Sequence, residues 1–479
     1  MRTSLILLIG AVGILTACKI TQPVAPPTKL SLPQKFDTPV SDSTSSIAGI
    51  RWHNYFEDSS LKVLIGLALE NNQDNLMTLE RIKTSRAIMQ AAKAGLLPRI
   101  SGIAGASSTK FGDYTMNGVG NFDLNLSENV PEDKRLPEPY SDFLVGLSFD
   151  WEVDVWGKLK NQKKAAIVRY LASEEMSKAV QTWLISDVAS HYFELLALDK
   201  EIQVLHENIR LQELGVQLIS ELKEGGKANQ LGVDQFEALA LNSKSQLQEK
   251  IRDQQSTTYA LQRLIGMVEI PLERSELDQA LASSKYREIG LPAQLLQYRP
   301  DLREAELALE ASRFDVMAAK AAFYPSLNLF GMAGFNAFDF SRLFFSPASI
   351  ATQLGAGLAA PIFNRRQIQS QFDVAKADQR IALLEYEKRT LNAYLEVLDL
   401  VNQIHTLENQ LRFKDQEVAV LQRAIDNSNT LFSVGYANYL EVINAQSRAL
   451  QSSIELADLK ASQLQAQVQL YRALGGGWN

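Results

Sequence analysis

The chain has 479 residues, a formal net charge of −7 and 46% apolar residues. That length allows several domains, while an acidic balance without a basic block argues against a nucleic-acid partner. After the N-terminus no run of 18 or more residues is apolar throughout, which excludes a membrane-spanning helix from the mature chain.

Residues 1–17 read as a signal peptide, with Arg2 as its positive end and Leu5 to Ile14 as its apolar core. The only cysteine, Cys18, excludes intrachain disulfides and paired-cysteine chemistry. It closes Leu15-Thr16-Ala17-Cys18, which resembles a bacterial lipobox. The resemblance implies a covalent lipid on Cys18 and no other cofactor. Lys19 replaces the aspartate often found in lipoproteins kept at the inner membrane, so sorting to the outer membrane is expected. Residues 18–50 form an extended linker with Pro23, Pro26, Pro27, Pro33 and Pro39 among serines and threonines. At about 3.1 Å per residue it reaches roughly 90 Å, and its composition is poor in core-forming residues.

Residues 51–266 form a first repeat. Trp52 to Leu97 reads as helical, with Leu61, Leu64, Ile65, Ala68 and Leu69 on one face and Asp58 or Ser59 as N-cap. Pro98 ends it, and a weakly alternating stretch rich in Gly, Ser and Ala follows, as for a strand with one lipid-facing side. Phe111 to Tyr140 reads as a loop. Asp142 to Trp151 alternates again through Phe143, Val145, Leu147 and Phe149. No proline interrupts Ser141 to Ile270, which predicts a long helix after Gly157, a turn at Gly225-Gly226 and a weaker flaw at Gly215.

A connector, residues 267–299, leads into a second repeat, residues 300–479. Ala91-Ala92-Lys93-Ala94 before Pro98 returns as Ala318-Ala319-Lys320-Ala321 before Pro325. Lys227-Ala228-Asn229 with Leu231 returns as Tyr436-Ala437-Asn438 with Leu440, which pairs Gly226 with Gly435. A helix from Asn364 to Ser433 would be about 105 Å long, and Gly435 is the one glycine before a second helix. Each half is thus helix, β-hairpin, long helix, glycine turn, long helix.

Four short amphipathic strands cannot stand alone in a bilayer, because open edges leave backbone groups unpaired. They must close with strands of other copies. Two copies give about eight strands and a filled interior, whereas three give about twelve and the beginning of an aqueous lumen. The near-seven-residue apolar repeat of the helices favours supercoiling. The expected fold is therefore mainly α with a transmembrane β-barrel: each protomer gives four strands to a barrel closed between copies, and its long helices continue that tube through the periplasm. A soluble coiled-coil scaffold would leave the strands and the lipobox unexplained.

The sequence resembles the TolC-like outer-membrane efflux proteins, in particular the lipoprotein (NodT-type) branch serving resistance-nodulation-division pumps. The resemblance covers nearly the whole mature chain. It rests on Trp52 with Phe56-Glu57-Asp58, Ala68-Leu69-Glu70-Asn71-Asn72-Gln73-Asp74, and Trp151-Glu152-Val153-Asp154-Val155-Trp156-Gly157. It rests further on Arg299-Pro300-Asp301-Leu302-Arg303, Ala322-Phe323-Tyr324-Pro325-Ser326-Leu327, and Leu470 to Trp478. It implies a homotrimer with a trimeric twelve-stranded barrel and a long α-helical periplasmic barrel, a periplasmic adaptor protein, an inner-membrane transporter of the resistance-nodulation-division class, and a passive duct for small toxic compounds. Ducts for metal-ion efflux or for type I protein secretion are the alternatives.

By the same resemblance Gly226, Val434 and Gly435 would meet the adaptor. Glu441 and Asp234 are the candidates for a periplasmic gate, although Asn444 departs from the acidic pair often found there. Neither catalytic nor metal-ligating residues are expected. The histidines His53, His191, His206 and His405 are scattered without metalloprotease spacing, and no enzyme activity is expected.

Overall fold

The structure, a computed structural model, describes residues 32–33, 35–36, 46–271, 273–283, 290–363 and 366–478. The signal peptide, Cys18 and Asn364 lie outside the described residues. Helices α1 (Ser59–Asn71) and α2 (Gln73–Ala94) precede strand β1 (Arg99–Thr109). Helix α3 (Met116–Leu126), strand β2 (Tyr140–Val153), helix α4 (Lys158–Glu224) and helix α5 (Gln230–Ile265) complete the first half. After the short helix α6 (Leu277–Ser283) come α7 (Pro300–Ala321), β3 (Ser326–Ala337), β4 (Ile350–Ala359), α8 (Gln367–Ser433) and α9 (Tyr439–Ala473). The duplication extends to element length. Helices α4 and α8 have 67 residues each, about 100 Å of helix, and α2 and α7 have 22 each.

Contacts divide the chain differently from the duplication. One unit holds Ser85–Arg169 and Leu309–Ala382, and therefore all four strands. The other holds the described residues up to Thr84 together with Tyr170–Ala308 and Leu383–Asn479.

In the first unit the strands form one antiparallel sheet in the order β1-β2-β3-β4. The corner from β2 into α4 explains the run Trp151 to Gly157. Asp154 accepts hydrogen bonds from the Leu159 and Lys160 amides at 3.0 and 2.8 Å, capping the first turn of α4. Lys158 pairs with Glu152 at 2.6 Å. Trp156 stacks on Tyr324 at 4.9 Å and donates to the Pro325 carbonyl at 2.7 Å, fastening the two halves together.

The second unit is a helical body with two main apolar clusters. In one, the α1 face Leu61, Leu64, Ile65 and Ala68 packs against Val188, Tyr192, Leu195, Leu261 and Ile265. The other gathers Leu302, Ala393, Val397, Val401, Ile404, Leu470 and Tyr471. Arg299 joins the connector to both neighbouring helices. Its guanidinium grips Asp301 at 2.7 Å and Glu396 at 2.7 Å and donates to the Ala473 carbonyl at 3.0 Å. Burial alone would raise the Asp301 pKa, and the Arg299 contact outweighs it, holding that carboxyl below the usual range.

Three expectations are corrected. The first helical stretch is not continuous: Asp58 is the N-cap of α1, as expected, but the chain before it is a separate helical turn, Trp52–Tyr55, and Asn72 adopts an extended conformation that breaks the stretch again. Asn72 compensates by donating to the Leu264 carbonyl at 2.8 Å and accepting from the Asn75 amide at 2.8 Å. The supposed loop 111–140 contains α3, because Thr115 caps it and Met116, Val119, Phe122 and Leu126 recur at helical spacing despite two glycines. The linker is not free of the core either. Phe36, its only aromatic residue, is buried and stacks on Tyr394 at 5.6 Å, and Ile47 and Ala48 are buried beside it.

Glu201 on α4 is fully enclosed, 2.5 Å from Lys250 of α5 and beside Asp458 of α9. Burial and the Asp458 carboxylate push it up to about 8, against the pull of Lys250. An acid whose folded pKa is raised stabilises the fold below its unfolded value, and that contribution fades as pH rises through the folded one. Stability of the purified protein against thermal unfolding should therefore fall between pH 5 and 8, by at most about 1.4 kcal/mol per pH unit for one group. Glu201→Gln should flatten that slope, and equal slopes in the two proteins would exclude Glu201 as the titrating group.

Candidate functional site

Two regions carry chemistry, one in each unit. In the helical body the two glycine turns repeat bond for bond. The amides of Lys227 and Ala228 donate to the Leu222 carbonyl at 2.7 and 3.2 Å, and that of Gly226 to Lys223 at 2.9 Å. Tyr436 and Ala437 donate to Leu431 at 2.8 and 3.2 Å, and Gly435 to Phe432 at 3.1 Å. Both are helix C-terminal turns closed by a left-handed residue, Gly226 at φ 74° and Gly435 at φ 80°. A Cβ on either glycine would meet nothing within 4 Å. Glycine is required there by φ, and the surface above each turn is bare.

Asn229 and Asn438 then cap the outgoing helices. Ile219, Phe236 and Val442 are buried between the hairpins with Phe432 and Tyr439 packed around them. Gly215 is no flaw in α4. A Cβ there would stand 2.7 Å from the Phe236 ring, so the missing side chain makes room for that packing. Val434 and Tyr436 remain exposed at the second turn.

The two gate candidates sit on outgoing helices, both exposed. Asp234 accepts from Gln230 at 2.6 Å, and Glu441 lies in the first turn of α9, where its amide donates to Asn438 at 3.2 Å. Of the residues flanking Glu441, Val442 is buried and Leu440 is partly exposed. Within one copy these carboxylates meet no partner carboxylate among the described residues.

In the strand unit the register sorts the side chains into two unlike faces. One face carries Ile100, Phe143, Val145, Leu147, Phe149, Trp151, Leu327, Leu329, Phe335, Ile350, Leu354 and Leu358, with only small residues and Thr352 between them. The opposite face carries Arg99, Ser101, Asp142, Ser148, Asp150, Glu152, Asn328, Asn336 and Gln353, with Ile103, Tyr140, Leu144, Phe330 and Met332 among them. Asn336 donates to Asp142 across β2 and β3 at 2.7 Å. An apolar sheet face of this extent suits hydrocarbon, and the polar face then lines an aqueous interior. Three carboxylates against one arginine make that interior acidic. Alternation in β2 was legible from the sequence. The opposition of Asp150 to Phe330, and of Ser148 to Met332, needed the register.

Residues 64–267 and 291–476 match the family model described as outer membrane efflux protein. The chain belongs to that family. Among its relatives, the cation efflux system protein CusC of Escherichia coli is 28% identical over 468 residues, covering 97% of this chain and 96% of that protein. The pyoverdine export outer membrane protein OpmQ of Pseudomonas aeruginosa is 31% identical over 474 residues, covering 98% and 96%. A crystal structure of CusC matches with a TM-score of 0.81 at 28% identity, over 95% of this chain and 100% of that one. The open-state MtrE channel of Neisseria gonorrhoeae, at 22% identity, shares the fold with a TM-score of 0.82 over 96% and 98% of the two chains. The protein is an outer membrane efflux channel, and the expected fold class stands: mainly helical, with a four-stranded share of a barrel.

The geometry of the turns yields a direct test. Gly435→Val places a β-branched residue in the left-handed region, at a cost of about 1–2 kcal/mol, with no clash to add to it. Hydrogen exchange of the amides from Leu431 to Ala437 should accelerate about tenfold in the variant while those of Leu195 and Leu261 stay protected. Unchanged exchange at the turn would mean that the backbone there tolerates a side chain.

Proposed function

We propose that three copies of this chain close a twelve-stranded barrel and serve as the passive outer-membrane duct of a tripartite efflux system. The observation that carries the reading is the four-stranded sheet itself. One face is apolar, the other is acidic and polar, and the outer edges of β1 and β4 have no strand partner among the described residues. Backbone groups on such edges cannot remain unpaired in hydrocarbon, so β4 of one copy must meet β1 of the next. Four strands per copy make three the smallest number that leaves a lumen.

The helical body would then form the periplasmic part of the duct. A periplasmic adaptor would dock on the bare turns at Gly226, Val434 and Gly435, where Val434 and Tyr436 offer exposed apolar surface. An inner-membrane transporter of the resistance-nodulation-division class would supply the energy, since nothing in a duct of this kind does so. Glu441, and less directly Asp234, would form rings of carboxylates where the hairpins of three copies converge. Relatives carry names that refer to cations, pyoverdine, solvents and toluene, so membership of the family leaves the cargo open.

Anchoring would have two parts, the barrel and a lipid on Cys18. Fatty-acid labelling in cells should mark the natural chain and not Cys18→Ser, and label persisting in the variant would remove the lipid from this account. Native mass measurement in detergent should give three chains per particle, with a stable monomer as the contradicting result. The same particles in a planar bilayer should conduct, and Glu441→Lys should reduce their preference for cations. Selectivity indifferent to that charge reversal would place Glu441 outside the pore.

A further inference from the structure

The acidic, polar face of the sheet carries two aromatic side chains, Tyr140 at the start of β2 and Phe330 on β3. Phe330 on β3 is 39% exposed there, among Ser148, Asp150, Asn328 and Gln353. Its ring lies across β4, where two glycines receive it. A Cβ on Gly355 would stand 2.5 Å from the ring, and one on Gly357 would stand 3.7 Å away. Met332 follows two residues along β3 on the same face. The register partner of Phe330 on β2 is Asp150, an exposed carboxylate, whose own partner on β1 is Arg99. The next carboxylate along β2, Glu152, is already paired with Lys158.

These groups offer a ring laid over β4 and a thioether on β3, with an accessible negative charge across β3 on β2. Cross-strand neighbours on one face stand close enough for a single small solute to touch both. An aromatic face attracts cations through its quadrupole, and the carboxylate adds the opposite charge. A small hard hydrated ion gains little from the Phe330–Met332 surface, and a neutral solute gains no charge pairing from Asp150. We propose that Phe330, Met332 and Asp150 form a transit site in the barrel lumen for organic cations with an aromatic body. The site deepens the duct reading and rests on it, since only a closed barrel puts this face toward an aqueous interior. Arg99 stands on the far side of Asp150 as a resident competing cation, which keeps capture weak enough for release.

Ethidium is a suitable probe, followed by fluorescence anisotropy on trimers purified in a non-ionic detergent. Binding does not require the hairpin end of the channel to be open. The dissociation constant should rise about tenfold in Phe330→Ala and in Asp150→Asn, stay near the natural value in Phe330→Tyr, and fall in Arg99→Gln. Tetraethylammonium, which lacks an aromatic body, should displace ethidium poorly. Should Phe330→Ala fail to assemble, Phe330→Leu keeps the bulk over Gly355 without the ring face and should weaken binding in the same direction. Trimers that bind ethidium equally with and without Phe330 and Asp150, or that do not bind it at all, overturn this proposal and leave the duct standing. A preparation that is not trimeric overturns the duct reading itself.

Discussion

Everything in this molecule answers to the demand that a peptide group placed in hydrocarbon find a hydrogen-bond partner. The sheet meets it between β1 and β4 and leaves it unmet at both outer edges. A chain with four strands therefore cannot finish its own membrane domain, and its stability in the bilayer is inseparable from association. The two faces of the sheet follow from the same demand. Hydrocarbon accepts Phe149, Leu147 and Leu354, while Asp142, Asp150 and Glu152 require water on their side.

Duplication is the economical route to such an object. One helix, one hairpin and one pair of long helices, used twice, give two glycine turns whose hydrogen bonds coincide at an offset of 209 residues. The copies are alike in the turn and unlike at the packing contact between them. Gly215 yields space to Phe236 from the same repeat, whereas Tyr439 closes over Gly232 from the other. Repetition sets the plan, and a few exchanged side chains lock the two halves to each other.

The plan was legible because its determinants are local. Absence of proline from Ser141 to Ile270 and from Ile362 onward marks long helices, and alternation through Phe143, Val145, Leu147 and Phe149 marks a strand. What escaped is in one case local, the helix α3 capped by Thr115, and otherwise depends on partners distant in sequence. Asn72 is a favoured N-cap that bonds the Asn75 amide, a local signal, whereas its bond to Leu264 could not be read from sequence. Burial of Glu201 depends on α5 and α9, and exposure of Phe330 on the polar face depends on the register with β2. The turn glycines were found from their spacing, but only φ separates their conformational need from any need of a partner. The lipid site at Cys18 was read from four residues and remains a matter of sequence.

Docking of Phe36 against Tyr394 changes the mechanics of the N-terminal segment. A lipid carried on Cys18 would hang on a leash that ends at Phe36 rather than at the first helix. Its reach is then at most about 60 Å, at roughly 3.3 Å for each extended residue. A short leash with a clipped end resists pull in two stages. Load on the lipid first tests the stacked rings, and slack is released only after they part. Until the rings part, the clip passes that load to α8 through Tyr394 and spares the chain that leads into α1.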